Sequence, residues 1–408
     1  MSFMSKIHFS KYQIFVVGVL TFLQFTIILD FMVLSPLGAL LMPAFHITPT
    51  QFGIVVSAYA FSAALSGILA AGYADRFDRK KILLFFYSGF IFSTLLCGIA
   101  PNFPMLLLAR TLTGIFGGVI GSIVFAITTD LFPLETRGRV MGFVQTAFAG
   151  SQVLGLPFSL YLSNRFGWHS PFLFIVIIGT VAGFFVFKYL KPIDSHLKQH
   201  LDKHPLHHLL DTVKNRYYLK AFAAVALLST GGFMIMPFAS AFSVNNLGID
   251  INDLPLLYLT TGIISMIVGP FIGRASDAFG KYRVFIVGSI FTMITVSIYT
   301  NLGQTTLAHL MIVNAFMFIG ISMRMIPSQA LVSAVPKPLS RGAFMSVSSS
   351  IQSLSGGLAS IVAGAIISES ADGKIEHFNQ IGYIIICTTL VTLFLMYQIH
   401  KRIHEKLD

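Results

Sequence analysis

Twelve apolar runs, each long enough to cross a bilayer, occupy most of this chain. They centre near residues 25, 62, 91, 118, 150, 180, 230, 265, 291, 320, 354 and 390. About 20 apolar residues in helical conformation span the hydrocarbon core of a membrane. No water is present there to bond free backbone groups, so each run is predicted to form a helix. Composition agrees, with 55% of residues hydrophobic and 11% charged, against roughly 25% charged in soluble domains. The first run, about Tyr12 to Leu40, is too long for the apolar stretch of a secretory leader and lacks a small-residue cleavage site. It is therefore predicted to be the first span. Cys97 and Cys387 lie in apolar runs of different halves, which predicts neither a disulfide nor a redox role.

A net charge of +11 would suit a nucleic-acid binder, but its placement points elsewhere. Of the 27 Lys and Arg, 23 fall on the termini and alternate loops. Arg165 and Lys374 occupy the opposite loops, and Arg110 and Arg324 lie inside spans. This is the positive-inside pattern, and it predicts that both termini are cytoplasmic. The basic loops then serve topology and contact with anionic lipid headgroups, with no nucleic acid as partner.

The longest polar stretch, Lys191 to about Tyr217, divides the chain at its middle. The predicted organisation is a six-helix bundle at 1–190, a cytoplasmic linker at 191–216 and a second six-helix bundle at 217–408. Landmarks recur across the divide. The loop Asp75-Arg76-Phe77-Asp78-Arg79-Lys80-Lys81 is answered by Asp277-Ala278-Phe279-Gly280-Lys281-Tyr282-Arg283, 202 positions later. Arg137-Gly138 is answered by Arg341-Gly342, with Pro133 and Pro336 ahead of the two pairs. Six spans return the chain to its starting side, so the halves share one orientation. Two such halves are suited to rock against each other around a central site.

These residues resemble the major facilitator superfamily. Gly72 to Lys81 is similar to its signature loop between the second and third spans, and Gly273 to Lys281 to the counterpart in the second half. Leu108-Ala109-Arg110-Thr111-Leu112-Thr113-Gly114 matches the fourth-span motif built on an arginine and a glycine. The resemblance covers essentially the whole chain. It implies an all-α membrane fold of 12 transmembrane helices in two bundles related by a pseudo-twofold axis. The branch it most resembles is the bacterial twelve-span drug and arabinose-efflux-like proton antiporters, which implies the bacterial inner membrane. Asp78 stands where the signature has glycine, and Ala71 where its first glycine would be. The fifth-span antiporter motif is only partly legible in Gly150 to Pro157.

The loop charges have a physical use. A carboxylate is favoured at a helix N-terminus and disfavoured at a C-terminus. Asp130, at the C-terminal end of the fourth span, therefore needs a cation, and the resemblance implies Arg79. It also implies that Asp75 meets the start of the eleventh span, near Arg341-Gly342, and holds the outward-facing state. Asp75, Arg79 and Asp130 thus form a candidate conformational latch, with Asp277, Lys281 and Arg283 as its second-half analogue. The simpler alternative is that these charges only fix topology and keep the loops in water.

Asp30, Arg110 and Arg324 are the ionisable residues deep within spans. Such residues are costly in hydrocarbon and are functional by default. Asp30 lies ten residues before Leu40, about 15 Å along a helix, and Arg110 six residues past Pro104 on the same side. An Asp30–Arg110 pair is expected, and protonating Asp30 would free Arg110, the elementary step of proton coupling. The competing reading is a permanent ion pair that specifies helix packing. Arg324 has no acidic partner in the second-half spans, which leaves an anionic ligand, a carbonyl-rich contact, a long-range pair with Asp30, or snorkelling to the cytoplasmic face. Pro327, three residues on, weakens the helix there.

Other features describe packing. Gly114, Gly117, Gly118 and Gly121 form a small face on the fourth span, and Gly356-Gly357 on the eleventh. Phe233, Met234 and Met236 are candidates to line an apolar cavity. His196, His200, His204 and His208 repeat every four residues in the linker, beside His207. The interleaved leucines favour an amphipathic helix on the membrane surface over a metal site.

No nucleotide-binding loop, nucleophile elbow or zinc-protease motif is present. The expectation is therefore no enzyme, no cofactor and no metal, with a proton gradient as energy source. The leading reading is a monomeric proton-coupled exporter of small amphipathic or sugar-like molecules, with a small-molecule substrate, protons and membrane lipids as partners. The alternatives are proton-linked uptake of an organic anion, lipid or lysolipid translocation, and a transporter-shaped receptor.

Overall fold

The computed structural model describes residues 9–73, 77–194, 197, 215–336 and 341–404. The His-rich repeat from His196 to His208 lies outside the described residues. Among the described residues, eleven helices are long and apolar enough to cross a membrane. In chain order the helices of the first half are α1 (Lys11–Val33), α2 (Gly38–Phe45), α3 (Pro49–Tyr73), α4 (Arg79–Gly98), α5 (Phe103–Leu131), α6 (Leu134–Gly150), α7 (Leu156–Phe166) and α8 (Ser170–Tyr189). The second half holds α9 (Arg216–Asn245), α10 (Leu254–Phe279), α11 (Lys281–Thr300), α12 (Leu307–Ser333), α13 (Arg341–Ile366) and α14 (Phe378–His404). A short hairpin, β1 (Ser368–Glu369) and β2 (Ile375–Glu376), joins α13 to α14.

Local chemistry sets the helix ends. Ser10 and Gln13 form a reciprocal capping box at the start of α1. Asp78 caps α4, its Oδ1 accepting the Lys80 and Lys81 amides at 2.7 and 3.1 Å. An N-cap carboxylate thus occupies the loop position at which the signature has glycine. At the end of α5, Arg137 donates to the carbonyls of Phe132 and Thr129 at 2.9 and 2.7 Å. These are the last-turn acceptors that a helix leaves unpaired.

The fifth span is divided. Between α6 and α7 runs one π turn, Ser151–Gly155, closed by the Leu156 amide reaching back to the Ser151 carbonyl. Pro157 has no amide hydrogen, so the α-helical bond to the Val153 carbonyl cannot form there. The π turn absorbs the change of register.

Two bundles of six spans result. α3 packs on α5, α4 on α5 and α8, and α1 on α6 and α8. Six spans later the same pairings recur: α10 on α12, α11 on α12 and α14, and α9 on α13 and α14. The bundles meet along two seams that the same symmetry exchanges, α3 against α13 and α7 against α10.

Lys and Arg gather at the starts of α4, α6 and α11, at one face of the molecule called here the basic face. The seams are tightest toward the opposite face. Thr50 Oγ1 donates to the Gly364 carbonyl at 2.8 Å, Ser57 Oγ to the Gly357 carbonyl at 2.6 Å, and Asn164 Nδ2 to the Ile251 carbonyl at 2.8 Å. A Cβ on Gly53 would lie 2.5 Å from the Ser360 carbonyl, and one on Gly262 would lie 2.9 Å from that of Gln152. Toward the basic face the α7–α10 seam parts. α10 rests on α7 and the π turn, and a Cβ on Gly138 or Gly142 of α6, or on Gly269 or Gly273 of α10, would meet nothing within 4 Å. α6 buries one stripe, Thr136, Val140, Val144 and Ala147. The molecule is closed at the face opposite the basic loops, and the α6–α10 side is open.

Gly53→Val forces a branched side chain against the Ser360 backbone and is expected to cost about 1–3 kcal/mol as overpacking. In a Cys387→Ser background, maleimide labelling of a Thr50→Cys reporter is expected to rise with it. Unchanged labelling would show that this contact does not close the seam.

Candidate functional site

The first span is α1 and α2 together, joined by a turn at 34–37. Asp30 lies three residues before the end of α1, inside the first span. Arg110 lies seven residues into α5, about 10 Å from its start. The two side chains meet, with Arg110 Nη1 2.8 Å from Asp30 Oδ2. Both are sealed inside the first bundle, Asp30 at 0% and Arg110 at 1% exposure.

Two further helices supply the surroundings. Thr94 on α4 donates its hydroxyl to Asp30 Oδ1 at 3.3 Å. The Tyr59 ring on α3 lies under the Arg110 guanidinium, 4.8 Å from carbon to ring centre, a cation–π contact. Cys97 Sγ lies 3.6 Å from Thr113 Oγ1, one helical turn along α4 from Thr94. Both cysteines are free, Cys97 buried and Cys387 exposed. The glycine face of α5 brings Tyr59 in. A Cβ on Gly114 would strike Ser62 Oγ and stand 3.0 Å from Tyr59 Cα, and one on Gly117 would stand 3.0 Å from the Tyr59 hydroxyl. Close approach is the physical use of this glycine stripe.

Two ions this deep are tolerable only as a pair with their remaining hydrogen-bonding capacity met, and Arg110 Nε is buried without a partner among the described residues. Neutralising Asp30 removes the charge that compensates Arg110. A ring contact leads outward from there. Tyr59 meets Phe31 at 5.3 Å between ring centres, and Phe31 meets Phe233 of α9 at 5.9 Å. Phe233 in turn covers Gly356 of α13, where a Cβ would lie 2.8 Å from the ring. Phe31 follows Asp30 directly in the chain, so a single turn of α1 faces both the ion pair and the second bundle.

The remaining sequence candidates fall in three groups. Arg79 Nε meets Asp130 Oδ2 at 3.0 Å, with both side chains largely buried, tying the start of α4 to the end of α5. Asp75 and the side chain of Arg341 lie outside the described residues. Asp277 and Lys281 pair at 3.4 Å across the α10–α11 turn, but both are exposed, and pairs of that kind contribute roughly 0–1 kcal/mol. Arg324 is apart from Asp30, which is committed to Arg110. It is 6% exposed, which excludes snorkelling to the surface, and its Nε has no partner among the described residues. Met234 is 2% exposed and belongs to the packed interior, whereas Phe233 stands at the seam. Sequence reasoning missed Thr94, Tyr59 and the cap by Arg137. A hydroxyl in the apolar third span was the one available signal for Thr94.

The family model of the Major Facilitator Superfamily matches residues 20–230 and again 221–406. The chain belongs to this superfamily. The double match is the six-plus-six duplication seen in the packing. Among MFS relatives, the uncharacterized MFS-type transporter YceJ of Bacillus subtilis (strain 168) is 29% identical over 277 residues, covering 65% of this chain and 68% of its own length. Multidrug resistance protein 3 of the same organism is 33% identical, but over 37% of this chain and only 30% of its own. Multidrug resistance protein 2 of that organism is 24% identical over 62% of this chain and 67% of its own. Among solved structures, a bacterial homolog to the human lysosomal transporter Spinster, inward-facing and occupied, superposes with a TM-score of 0.76 at 17% identity. That match covers 97% of this chain and 98% of the homolog. A mutant of the nucleoside transporter NupG gives 0.70 at 13% identity over 94% and 98%. At these identities the structures establish the fold alone. The MFS fold and a multi-pass membrane protein are thereby secured.

Arg110→Leu leaves Asp30 buried without its partner and is expected to cost about 3–5 kcal/mol. The double variant Asp30→Asn/Arg110→Gln removes both charges and is expected to recover most of that loss. Thermal unfolding in detergent checks both, and equal losses in the two variants would show that the pair is not coupled.

Proposed function

We propose that this MFS protein is a proton-coupled secondary transporter that exports small amphipathic or sugar-like solutes from the cytoplasm by alternating access. The observation that carries the reading is the sealed Asp30–Arg110 pair, with the Thr94 hydroxyl on the carboxylate and the Tyr59 ring on the guanidinium. The names of two relatives, both multidrug resistance proteins, agree with export. The segregation of Lys and Arg supports a cytoplasmic basic face, and on that reading the closed seams face outward and the molecule opens inward.

The mechanism follows from the contacts. Ionised Asp30 holds Arg110, and Arg110 holds Tyr59 against α5. A proton on Asp30 cancels the attraction and leaves a guanidinium that must turn to other acceptors. Tyr59 is then released against Phe31, and Phe31 against Phe233, so the change of charge reaches the seam between bundles. Arg79–Asp130 acts at the basic face as the breakable contact of the latch, with Asp75 and Arg341 completing it. Asp277 and Lys281 occupy the corresponding loop in the second half. The solute is exchanged against protons at the central seam, and no bound cofactor takes part.

Proteoliposomes loaded with a pH-sensitive dye test the reading with a panel of amphipathic and sugar-like solutes. Solute addition is expected to move protons in the wild type. In Asp30→Asn, solute-for-solute counterflow is expected to persist while proton movement and pH dependence disappear. Unchanged pH dependence in Asp30→Asn refutes the proton-coupling role. Binding without any counterflow would make the protein a receptor.

A further inference from the structure

Arg324 is the intramembrane charge that the coupling scheme does not use. Its place in the fold is well defined. On α12 the residues Met317, Gly320, Arg324, Ser328 and Leu331 form a buried stripe, while Ile312 and Phe316 are exposed on the other side. The stripe is held against α11. A Cβ on Gly320 would lie 2.8 Å from Thr292 Oγ1, and one on Gly288 would meet the Met323 side chain and backbone, 2.8 Å from its carbonyl carbon. Arg324 therefore belongs to the protein interior and not to the lipid surface.

α12 runs toward the basic face and ends at Ser333, nine residues or about 13 Å beyond Arg324. Side chains on a helix tilt toward its N-terminus, which here carries the guanidinium toward mid-membrane. It is 6% exposed, with a buried Nε that no described group accepts from. Asp30 is the single acid deep within the spans, and it is bound to Arg110 at 2.8 Å. One residue beyond Gly288, the Ser289 hydroxyl is fully buried and also without a partner among the described residues. Among the described residues no carboxylate pairs with Arg324. A guanidinium presents five N–H donors in a planar fork that suits carboxylate and phosphate oxygens.

We infer that Arg324 is the recognition point for an anionic group, a carboxylate or phosphate, on the solute that this protein carries. The inference rests on the transport reading and narrows its substrate class to amphipathic organic acids. The charge of the solute replaces the acid that the fold omits. In the unloaded protein the arginine is an intramembrane cation without a described counter-ion, which is costly, so binding an anion there relieves a penalty that a neutral solute would leave in place.

Thermal unfolding of the purified full-length protein with three matched probes tests this. The probes are 2-naphthylacetate, its neutral amide 2-naphthylacetamide, and the cationic 2-(2-naphthyl)ethylamine. The carboxylate is expected to stabilise the wild type at concentrations at least tenfold below the other two. Arg324→Gln is expected to abolish that preference, and Arg324→Lys to retain part of it. Equal responses to the three probes, no stabilisation by the carboxylate, or a preference that survives in Arg324→Gln each overturn the inference. So does displacement of naphthylacetate by sodium chloride or inorganic phosphate at equal concentration, which would make the ligand a small inorganic ion. Should Arg324→Gln fail to fold, the wild-type comparison and Arg324→Lys decide. Solute-driven proton movement through Asp30 is measured separately, so transport can stand while this inference falls.

Discussion

The electrostatic constraint on Asp30 and Arg110 organises the first bundle. Neither charge is tolerable alone at that depth, and their contact fixes the approach of α1 to α5 at one level of the membrane. The neighbouring helices then have little freedom. α4 presents Thr94 to the free carboxylate oxygen, and α3 presents Tyr59 to the face of the guanidinium. The glycine stripe of α5 exists at the level where Tyr59 must come close. A single ion pair thus determines where four helices touch, and the ring contacts through Phe31 and Phe233 extend its reach to the second bundle.

The two halves use the same packing plan for different purposes. Their helix pairings repeat six spans apart, yet the chemistry inside them is not repeated. The first half holds a neutralised pair, and the second holds a cation at Arg324 with no described counter-ion. Duplication supplied two equivalent frames, and the charges diverged within them. That division places the compensated charges in one bundle and the uncompensated charge in the other.

The spans, the duplication and the Asp30–Arg110 pair could be read from the sequence because each leaves a signal along one dimension. An apolar run announces a span directly, and two rare charges of opposite sign at similar depth announce a partner. Thr94 and Tyr59 leave no such trace, since hydroxyls and aromatic rings are ordinary inside membrane helices and their role depends on which helix lies next to which. The same holds for the seams. Gly53 and Gly262 look like any other helix glycine until α13 and the π turn are brought against them. Arg324 was visible as an ion without a partner, but snorkelling could be set aside only once its burial was known.

The divided fifth span has a consequence for how the chain enters the membrane. α6 carries Arg137, Arg139, Gln145 and Thr146 within seventeen residues, and a segment so poor in apolar surface partitions weakly into lipid by itself. α1, which it packs against, has already been synthesised by then, and α10 has not. The fifth span is thus held at first by α1, α5 and α8 alone and gains α10 only when the other half arrives. Its final seating belongs to the late assembly of the two halves and not to the insertion of the first.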